Sequence, residues 1–258
     1  LQMFKIMLLF GFIISTFGIK VELKNKNFVV IRGPIYQETT NKFFTDLNDF
    51  YGDELFIVIN SPGGSVMEGM KIIDHIKTLA SNNIKTKCIA DFAASMAFAI
   101  LQSCQYRYTI SSGILMQHQM SLEVSGNLFS IKTYMDMINK ININLDTEQA
   151  NRINLDYNEF VSKITNDWWI SSFTAKEDNV VDDIVMVTCH DVLYKEVTEL
   201  TIHHSFGEVT VVFSKCPLIR NPLIILYSNE QNISRHEIYQ MYSIDSYIST
   251  KIPIKAWV

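Results

Sequence analysis

The chain has 258 residues, of which 48% are hydrophobic and 19% are charged, and its formal net charge is −5. This composition is typical of one large globular domain, or of a domain with a smaller appendage, and excludes a disordered or fibrous protein. Because phosphate binding requires a basic surface and no Lys/Arg cluster is present, nucleic acid is not an expected partner.

The chain opens with an apolar stretch, IMLLFGFIISTFG at residues 6–18, which follows Lys5. It is shorter than the roughly 20 residues of a membrane span, and its basic, apolar and small-residue order fits a signal peptide. The alternative is a first buried strand or helix of the fold. We predict a signal peptide or membrane anchor at residues 1–20, which favours export or membrane association.

Strands and helices alternate between residues 27 and 188. The predicted strands are 28–33, 55–59, 84–90, the segments YRYTI and ILMQHQ, and 181–187. The predicted helices are 39–51, 65–81, 93–104, 128–153 and 157–165. This alternation predicts a parallel α/β sheet covered by helices.

The pattern changes after residue 190. The segments ELTIHHS and EVTVVFS flank a Phe-Gly turn and predict a β-hairpin, and NPLIILY predicts another strand. We therefore expect a small β-rich C-terminal extension at residues 190–258, for which the sequence suggests no role.

The four cysteines, Cys88, Cys104, Cys189 and Cys216, are widely spaced and form no CxxC or Cys/His ligand pattern. Free buried thiols that pack as small hydrophobic side chains are favoured over a metal site or a disulfide framework.

Two short segments carry candidate chemistry. Gly63-Gly64 lies between a predicted strand and a helix, outside any phosphate-loop or dinucleotide pattern. Its bare N–H groups suit an oxyanion on an acyl carbon, and the alternative is an ordinary tight turn. Ser95, in Ala-Ala-Ser-Met, is either an exposed nucleophile with the N–H of Met96 beside it, or a helix N-cap.

Two further residues carry little information when each is taken alone. His118 lies at the end of a predicted strand, where a single histidine is usually an ordinary core or surface residue. Asp167 precedes Trp168-Trp169, where a carboxylate could orient an imidazole, and the alternatives are a helix cap or a solvated acid.

Together, four stretches resemble the proteolytic subunit of the Clp protease, within the ClpP/crotonase superfamily. INSPGGSVMEGMKIIDHI and CIADFAASMAFAIL are similar to the family's INSPGG segment and to its nucleophile segment C-x-G-x-A-A-S-M-G. LMQHQM resembles M-I-H-Q-P, and DWWISSFTAKEDNVVDDI resembles D-x-F-x-S-A-x-E-A-x-x-Y-G-L-V-D-x-I. The resemblance covers about residues 28–187 and implies repeated β-β-α units with a long handle helix at 128–153.

The resemblance also implies a serine endopeptidase with Ser95 as nucleophile, His118 as general base and Asp167 as the residue that orients the base. The N–H groups of Gly64 and Met96 would form the oxyanion hole. On these grounds Gly64→Ala is expected to slow acylation far more than it lowers stability.

The same resemblance implies that Gly63, Ser65 and Val66 contact a peptide or unfolded protein substrate. It further implies a homo-oligomer of two heptameric rings and an AAA+ unfoldase partner. ATP would act only through that partner, and neither a metal nor another cofactor is expected in the chain. Location stays open, because the resemblance favours the cytoplasm or an organelle matrix and the N-terminus favours export.

Asp91-Phe92 departs from the family pattern, because it replaces Gly-x before Ala-Ala-Ser. It puts a carboxylate and a bulky ring beside the nucleophile. This departure supports one alternative to the peptidase hypothesis, a non-catalytic subunit with the same fold. The N-terminal apolar segment supports another, a membrane-associated or exported peptidase that works without an ATPase. Asn179 stands at a family glycine, where asparagine tolerates a left-handed backbone.

Overall fold

A computed structural model describes residues 18–204 and 207–227, which form a mixed α/β structure. The strands are Lys20–Leu23 (β1), Phe28–Arg32 (β2), Glu54–Ser61 (β3), Lys85–Ala94 (β4), Tyr106–Gln117 (β5), Trp168–Ser171 (β6), Asp183–Ile184 (β7), Met186–Cys189 (β8), Val197–His204 (β9), Gly207–Ser214 (β10) and Ile224–Tyr227 (β11). The helices are Gln37–Leu47 (α1), Val66–Ser81 (α2), Met96–Ser103 (α3), Leu128–Arg152 (α4), Tyr157–Ile164 (α5), Ser172–Glu177 (α6) and Asp191–Lys195 (α7).

The central sheet has the strand order β2-β3-β4-β5-β6, with β7 pairing beside part of β5. Strands β2 to β5 are parallel, which confirms the predicted parallel sheet for these four. Strand β6 is antiparallel to β5. The reason is that α5 ends beside the carboxyl end of β5, where the N–H of Gln119 donates to the carbonyl of Ile164 at 3.2 Å, so the next strand starts at that edge.

Three predicted boundaries are wrong. Strand β4 continues to Ala94, because Phe92 pairs with Asn60 of β3 and with Ile114 of β5, so helix α3 begins only at Met96. The two strands predicted near 106–119 are one irregular strand, β5. The strand predicted at 181–187 is divided into β7 and β8, and β8 leaves the central sheet to pair with β1.

The central sheet is covered on both faces. The larger apolar cluster includes Phe43 of α1, Ile72 and Ile76 of α2, and Ile100 of α3, packed with Ile57 and Ile59 of β3. On the opposite face, Phe56 and Val58 of β3 pack with Leu23 of β1, Leu193 of α7 and Cys216. The segment after residue 190 therefore contributes to covering the sheet. Gathering these side chains away from water supplies the main drive for folding.

The extension forms a three-stranded antiparallel sheet with the order β11-β10-β9. This arrangement confirms the hairpin and the further strand predicted from the sequence. Asn179 has φ 59°, as expected for its turn. The predicted signal peptide or anchor lies mostly in residues 1–17, outside the described part. Among the described residues, no helix is both long and apolar enough to pass through a bilayer.

The prediction of free thiols is wrong. Cys88 is bonded to Cys104, and Cys189 is bonded to Cys216, so every cysteine is paired. Wide spacing along the chain concealed both pairs, because folding brings residues 16 and 27 positions apart to a Cα–Cα distance of 5.8 Å. The first bond joins β4 to the residue after α3, and the second joins the end of β8 to the extension.

Peptide mapping without reductant is expected to recover Cys88 linked to Cys104 and Cys189 linked to Cys216. Replacing both Cys189 and Cys216 by Ser should lower the free energy of unfolding by about 2–4 kcal/mol, because the unfolded chain gains freedom. Reductant, which can open both disulfides, should lower the free energy of unfolding of the native protein by at least as much. Four alkylatable thiols in the untreated, denatured protein would contradict the pairing.

A second prediction concerns Asp146, a carboxylate of α4 that is 6% exposed. Burial raises the pKa of Asp146 from 3.8 to about 6, although Asn142 donates a hydrogen bond to the carboxylate. The folded state therefore binds a proton at Asp146 more tightly than the unfolded state does, and protonation stabilises the fold at low pH. This contribution to the free energy of unfolding is lost as the pH rises through 6.

Asp146→Asn is expected to remove that pH dependence and to stabilise the protein at pH 8 by roughly 2 kcal/mol. Denaturant unfolding between pH 4 and pH 8 measures the effect. Asp136→Asn, which changes an exposed carboxylate of the same helix, is the control and should leave the pH dependence of the free energy of unfolding unchanged. Parallel pH profiles of the wild type and Asp146→Asn would contradict the assignment.

Candidate active site

The loop that follows β3 packs directly against the turn between β4 and α3. Gly63 has φ 88°, and a Cβ atom there would lie 2.5 Å from the carbonyl oxygen of Ala94, 2.7 Å from Cβ of Ser95 and 2.8 Å from N of Met96. No side chain fits in that space. The absence of a Cβ atom thus allows the two segments to meet, and the fold brings together Gly63, Ser95 and Met96.

Gly64 approaches the backbone of Ile35 instead. The N–H of Ile35 donates to the carbonyl of Gly63, and the N–H of Ser65 donates to the carbonyl of Ile35, each at 2.8 Å. The carbonyl of Gly63 and the N–H of Gly64 belong to one trans peptide and point in opposite directions, so the N–H of Gly64 points away from Ile35. Gly64 is exposed, which leaves that edge of the loop accessible to a ligand.

The Gly64→Ala variant would not separate an effect on acylation from an effect on the loop. Gly64 has φ 148°, and an added Cβ would lie 2.5 Å from the carbonyl oxygen of Ile35. Substitution would therefore strain the backbone and displace Ile35, so the stability of the loop would fall together with any rate.

Ser65 and Val66, the other predicted substrate contacts, lie at the start of α2. The hydroxyl of Ser65 caps this helix by accepting from the N–H of Glu68 at 3.3 Å, as the sequence predicts. Its N–H is bonded to Ile35 and its carbonyl to the N–H of Gly69, so Ser65 is engaged within the chain. Val66 is half-buried.

Ser95 is held in an uncommon conformation, with φ 55° and ψ −123°. Its N–H donates to the carbonyl of Met116 at 2.9 Å, and its hydroxyl makes no capping bond to α3. Ser95 therefore occupies the N-cap position of α3, as one of the two interpretations predicted, but its side chain does not cap the helix. A left-handed conformation at a residue other than glycine costs roughly 1–2 kcal/mol and often marks a functional turn. Met96 is the first residue of α3, where a backbone N–H has no partner within the helix.

The strand register aligns the other two candidate residues with this turn. In the antiparallel pair β5–β6, Met116 is opposite Trp169 and Gln117 is opposite Trp168. His118 directly follows β5 and Asp167 directly precedes β6, so both come at the same end of this pair. Because Ser95 binds Met116, the segments carrying Ser95, His118 and Asp167 lie side by side at one edge of the sheet. His118 is half-buried and Asp167 is exposed.

Neither residue of Asp91-Phe92 projects freely over Ser95. Phe92 is 1% exposed and packs with Ala94 and Met116. Asp91 is 7% exposed, and its carboxylate accepts a hydrogen bond from Arg220 of the extension at 2.6 Å. Burial raises the pKa of the Asp91 carboxyl, while the Arg220 guanidinium opposes the shift.

Sequence reasoning missed Arg220. A single arginine in the extension carries no motif, and its partner precedes it by 129 positions. The only available signal was that Asp91 occupies a position where the family pattern has glycine. A carboxylate inside a strand requires a counter-charge, and this requirement does not say where the counter-charge lies.

Comparison with known proteins identifies the family. The sequence model of the Clp protease family matches residues 15–188, which is more than half of the chain. The chain belongs to the Clp protease family.

Its curated relatives are proteolytic subunits. "ATP-dependent Clp protease proteolytic subunit 1" of Streptomyces coelicolor is 25% identical over 172 residues, covering 63% of this chain and 76% of the relative. The "ATP-dependent Clp protease proteolytic subunit" of Bacteroides thetaiotaomicron is 29% identical, covering 52% and 61%. Subunit 1 of Prochlorococcus marinus is 26% identical, covering 64% and 87%. The family match ends before the extension.

The Asp91–Arg220 pair generates a prediction about the extension. Arg220→Ala leaves a buried carboxylate without its partner and should lower the free energy of unfolding by about 1–2 kcal/mol, a value reduced because Arg220 is 42% exposed. Asp91→Ala combined with Arg220→Ala should recover most of this loss. A double-mutant cycle by denaturant unfolding measures the coupling.

The control for this cycle is Lys215→Ala, which breaks the exposed Lys215–Glu196 pair within the extension. Its effect should stay below about 0.5 kcal/mol. Strictly additive effects of Asp91→Ala and Arg220→Ala would contradict a direct interaction between the two side chains.

Proposed function

We propose that the chain is a serine endopeptidase that hydrolyses peptide bonds through Ser95, His118 and Asp167. The supporting observation is the contact of the Gly63–Gly64 loop with the Ser95–Met96 turn. In this contact the buried Gly63 and the first residue of α3 lie against a serine whose φ is 55°. Membership in the Clp protease family supports the same activity.

In the proposed reaction, Oγ of Ser95 attacks the scissile carbonyl carbon while His118 accepts the hydroxyl proton. Asp167 orients His118 and stabilises the imidazolium. The N–H groups of Gly64 and Met96 stabilise the oxyanion. His118 then protonates the leaving amine, and water hydrolyses the acyl-enzyme by the same route, which regenerates Ser95.

The proposed substrate is a peptide or an unfolded protein bound in an extended conformation. Its backbone would pair with the edge of the loop that Ile35 leaves open, at Gly64 and Val66. Gly63 would contribute by keeping the loop close to Ser95, and Ser65 by holding the loop to Ile35 and to α2. Extended peptides suit this edge because they present their own N–H and C=O groups.

We further propose a homo-oligomer of heptameric rings. Helix α4 has 25 residues, and its first residues are strongly exposed, with Leu128 at 75% and Phe129 at 80%. A second copy would cover this apolar surface, and α4 would serve as the handle between rings. The relatives are named ATP-dependent, so we propose an AAA+ unfoldase partner that uses ATP, while the chain itself needs neither a cofactor nor a metal.

A fluorophosphonate probe should label Ser95 covalently, and Ser95→Ala should abolish labelling. His118→Ala should slow labelling by at least about 10²-fold, since the general base is lost, and Asp167→Asn by a smaller factor. Intact mass spectrometry and peptide mapping measure the adduct, with the exposed Ser111→Ala as the control.

Undiminished labelling of Ser95→Ala would refute the assignment of the nucleophile. An assembled oligomer that resists the probe and cleaves no peptide would favour the non-catalytic subunit instead. Cleavage without any ATPase, by protein recovered in the membrane or exported fraction, would favour the second alternative. Deleting residues 1–20 should then release the protein from that fraction.

A further inference from the structure

A chain of buried amides connects helix α4 to the backbone of His118. Gln117 is 5% exposed, and its Oε1 accepts from the N–H of His118 at 3.0 Å. Its Nε2 donates to Oε1 of Gln149 at 2.5 Å. Gln149 is 4% exposed, and its own Nε2 donates to the carbonyl of Leu145 at 3.1 Å. In both glutamines Oε1 accepts a hydrogen bond and Nε2 donates one, so the orientation of each side-chain amide is fixed by its partners.

These amides are buried at positions where an apolar side chain would need no hydrogen-bond partner. In the family segment M-I-H-Q-P, which LMQHQM resembles, isoleucine occupies the position of Gln117. A buried amide without partners costs about 1–3 kcal/mol, so Gln117 is tolerated because Gln149 and the N–H of His118 satisfy it. The N–H of His118 is thus bonded to a side chain whose conformation depends on α4.

The backbone on the other side of His118 is also tied down. The N–H of Gln119 donates to the carbonyl of Ile164, the last residue of α5, at 3.2 Å. The segment that carries His118 is therefore held by two contacts. One connects the N–H of His118 to α4 through Gln117 and Gln149, and the other connects the N–H of Gln119 to the end of α5. Of the two contacts, the one through Gln149 is made by side chains and can be removed without changing the backbone.

We infer that Gln149 is a positioning residue for His118. It acts through Gln117 to fix the backbone of His118. The inference rests on the proposed function, since it takes His118 as the general base. Proton transfer requires the base to lie within hydrogen-bond reach of the nucleophile, and small displacements of reacting groups slow a reaction severely.

The first variant is Gln149→Met, which keeps the side-chain length and the helix propensity but removes the amide oxygen. The second-order rate of fluorophosphonate labelling at Ser95 should fall roughly tenfold. The exchange of the backbone N–H of His118, followed by hydrogen–deuterium exchange mass spectrometry, should accelerate by a similar factor. Gln149→Glu keeps an acceptor for Gln117 and should retain most of the labelling rate.

The second variant separates positioning from stability. Gln149→Met alone leaves the amide of Gln117 without its partner, so Tm should fall. Gln117→Ile combined with Gln149→Met removes both amides, and Tm should recover. The labelling rate should stay low in this double variant, because the N–H of His118 is still released. A purely structural role of Gln149 predicts that rate and Tm recover together.

Asn144→Met is the control, since it changes an exposed amide of the same helix and should leave rate, exchange and Tm unchanged. If the probe labels the wild type at Ser95, any one of three results overturns the inference. The first is a labelling rate of Gln149→Met within twofold of wild type, and the second is unchanged hydrogen exchange at the N–H of His118. The third is full recovery of the labelling rate in the double variant. A wild type that the probe does not label at Ser95 overturns the proposed function, and the inference with it.

Discussion

The close approach of the Gly63–Gly64 loop to the turn at Ser95 is the constraint on which the candidate site depends. The parallel neighbouring strands β3 and β4 end at the same edge of the sheet, so the loop after β3 and the turn after β4 lie in close contact. The contact is possible because Gly63, on the loop, has no Cβ atom. On the turn, Ser95 adopts a positive φ of 55°. The result is a serine beside two backbone segments.

The extension belongs physically to the domain on which it packs. Arg32 of β2 donates to the carbonyl of Pro217 at 3.1 Å, and its guanidinium lies 4.4 Å from the centre of the Phe213 ring. Arg220 reaches Asp91 in β4, and the Cys189–Cys216 bond attaches the same segment covalently. A salt bridge and a cation–π contact thus hold the extension to strands of the central sheet, and a disulfide holds it to β8.

Regular elements were predictable wherever one periodicity dominated. Helix α4 was predicted at 128–153 and runs from Leu128 to Arg152, because its apolar residues recur at helical spacing. The predicted helix at 93–104 begins too early, since the alanines that suggest a helix extend β4 when Phe92–Ala94 find hydrogen-bonded partners on both sides. Pairing with distant strands overrides local propensity, and such pairing is invisible in a window of neighbouring residues.

Residue order and motif alone were enough to predict the α/β alternation, the hairpin, and Ser95, His118 and Asp167 as candidates for the chemistry. Which groups meet became visible only in the folded chain: Gly63 with Ser95, Asp91 with Arg220, Gln117 with Gln149, and the cysteines in two pairs. The physical reason is that residue type and spacing specify local conformation. A buried charge or amide requires a partner, and only the folded chain brings that partner within reach.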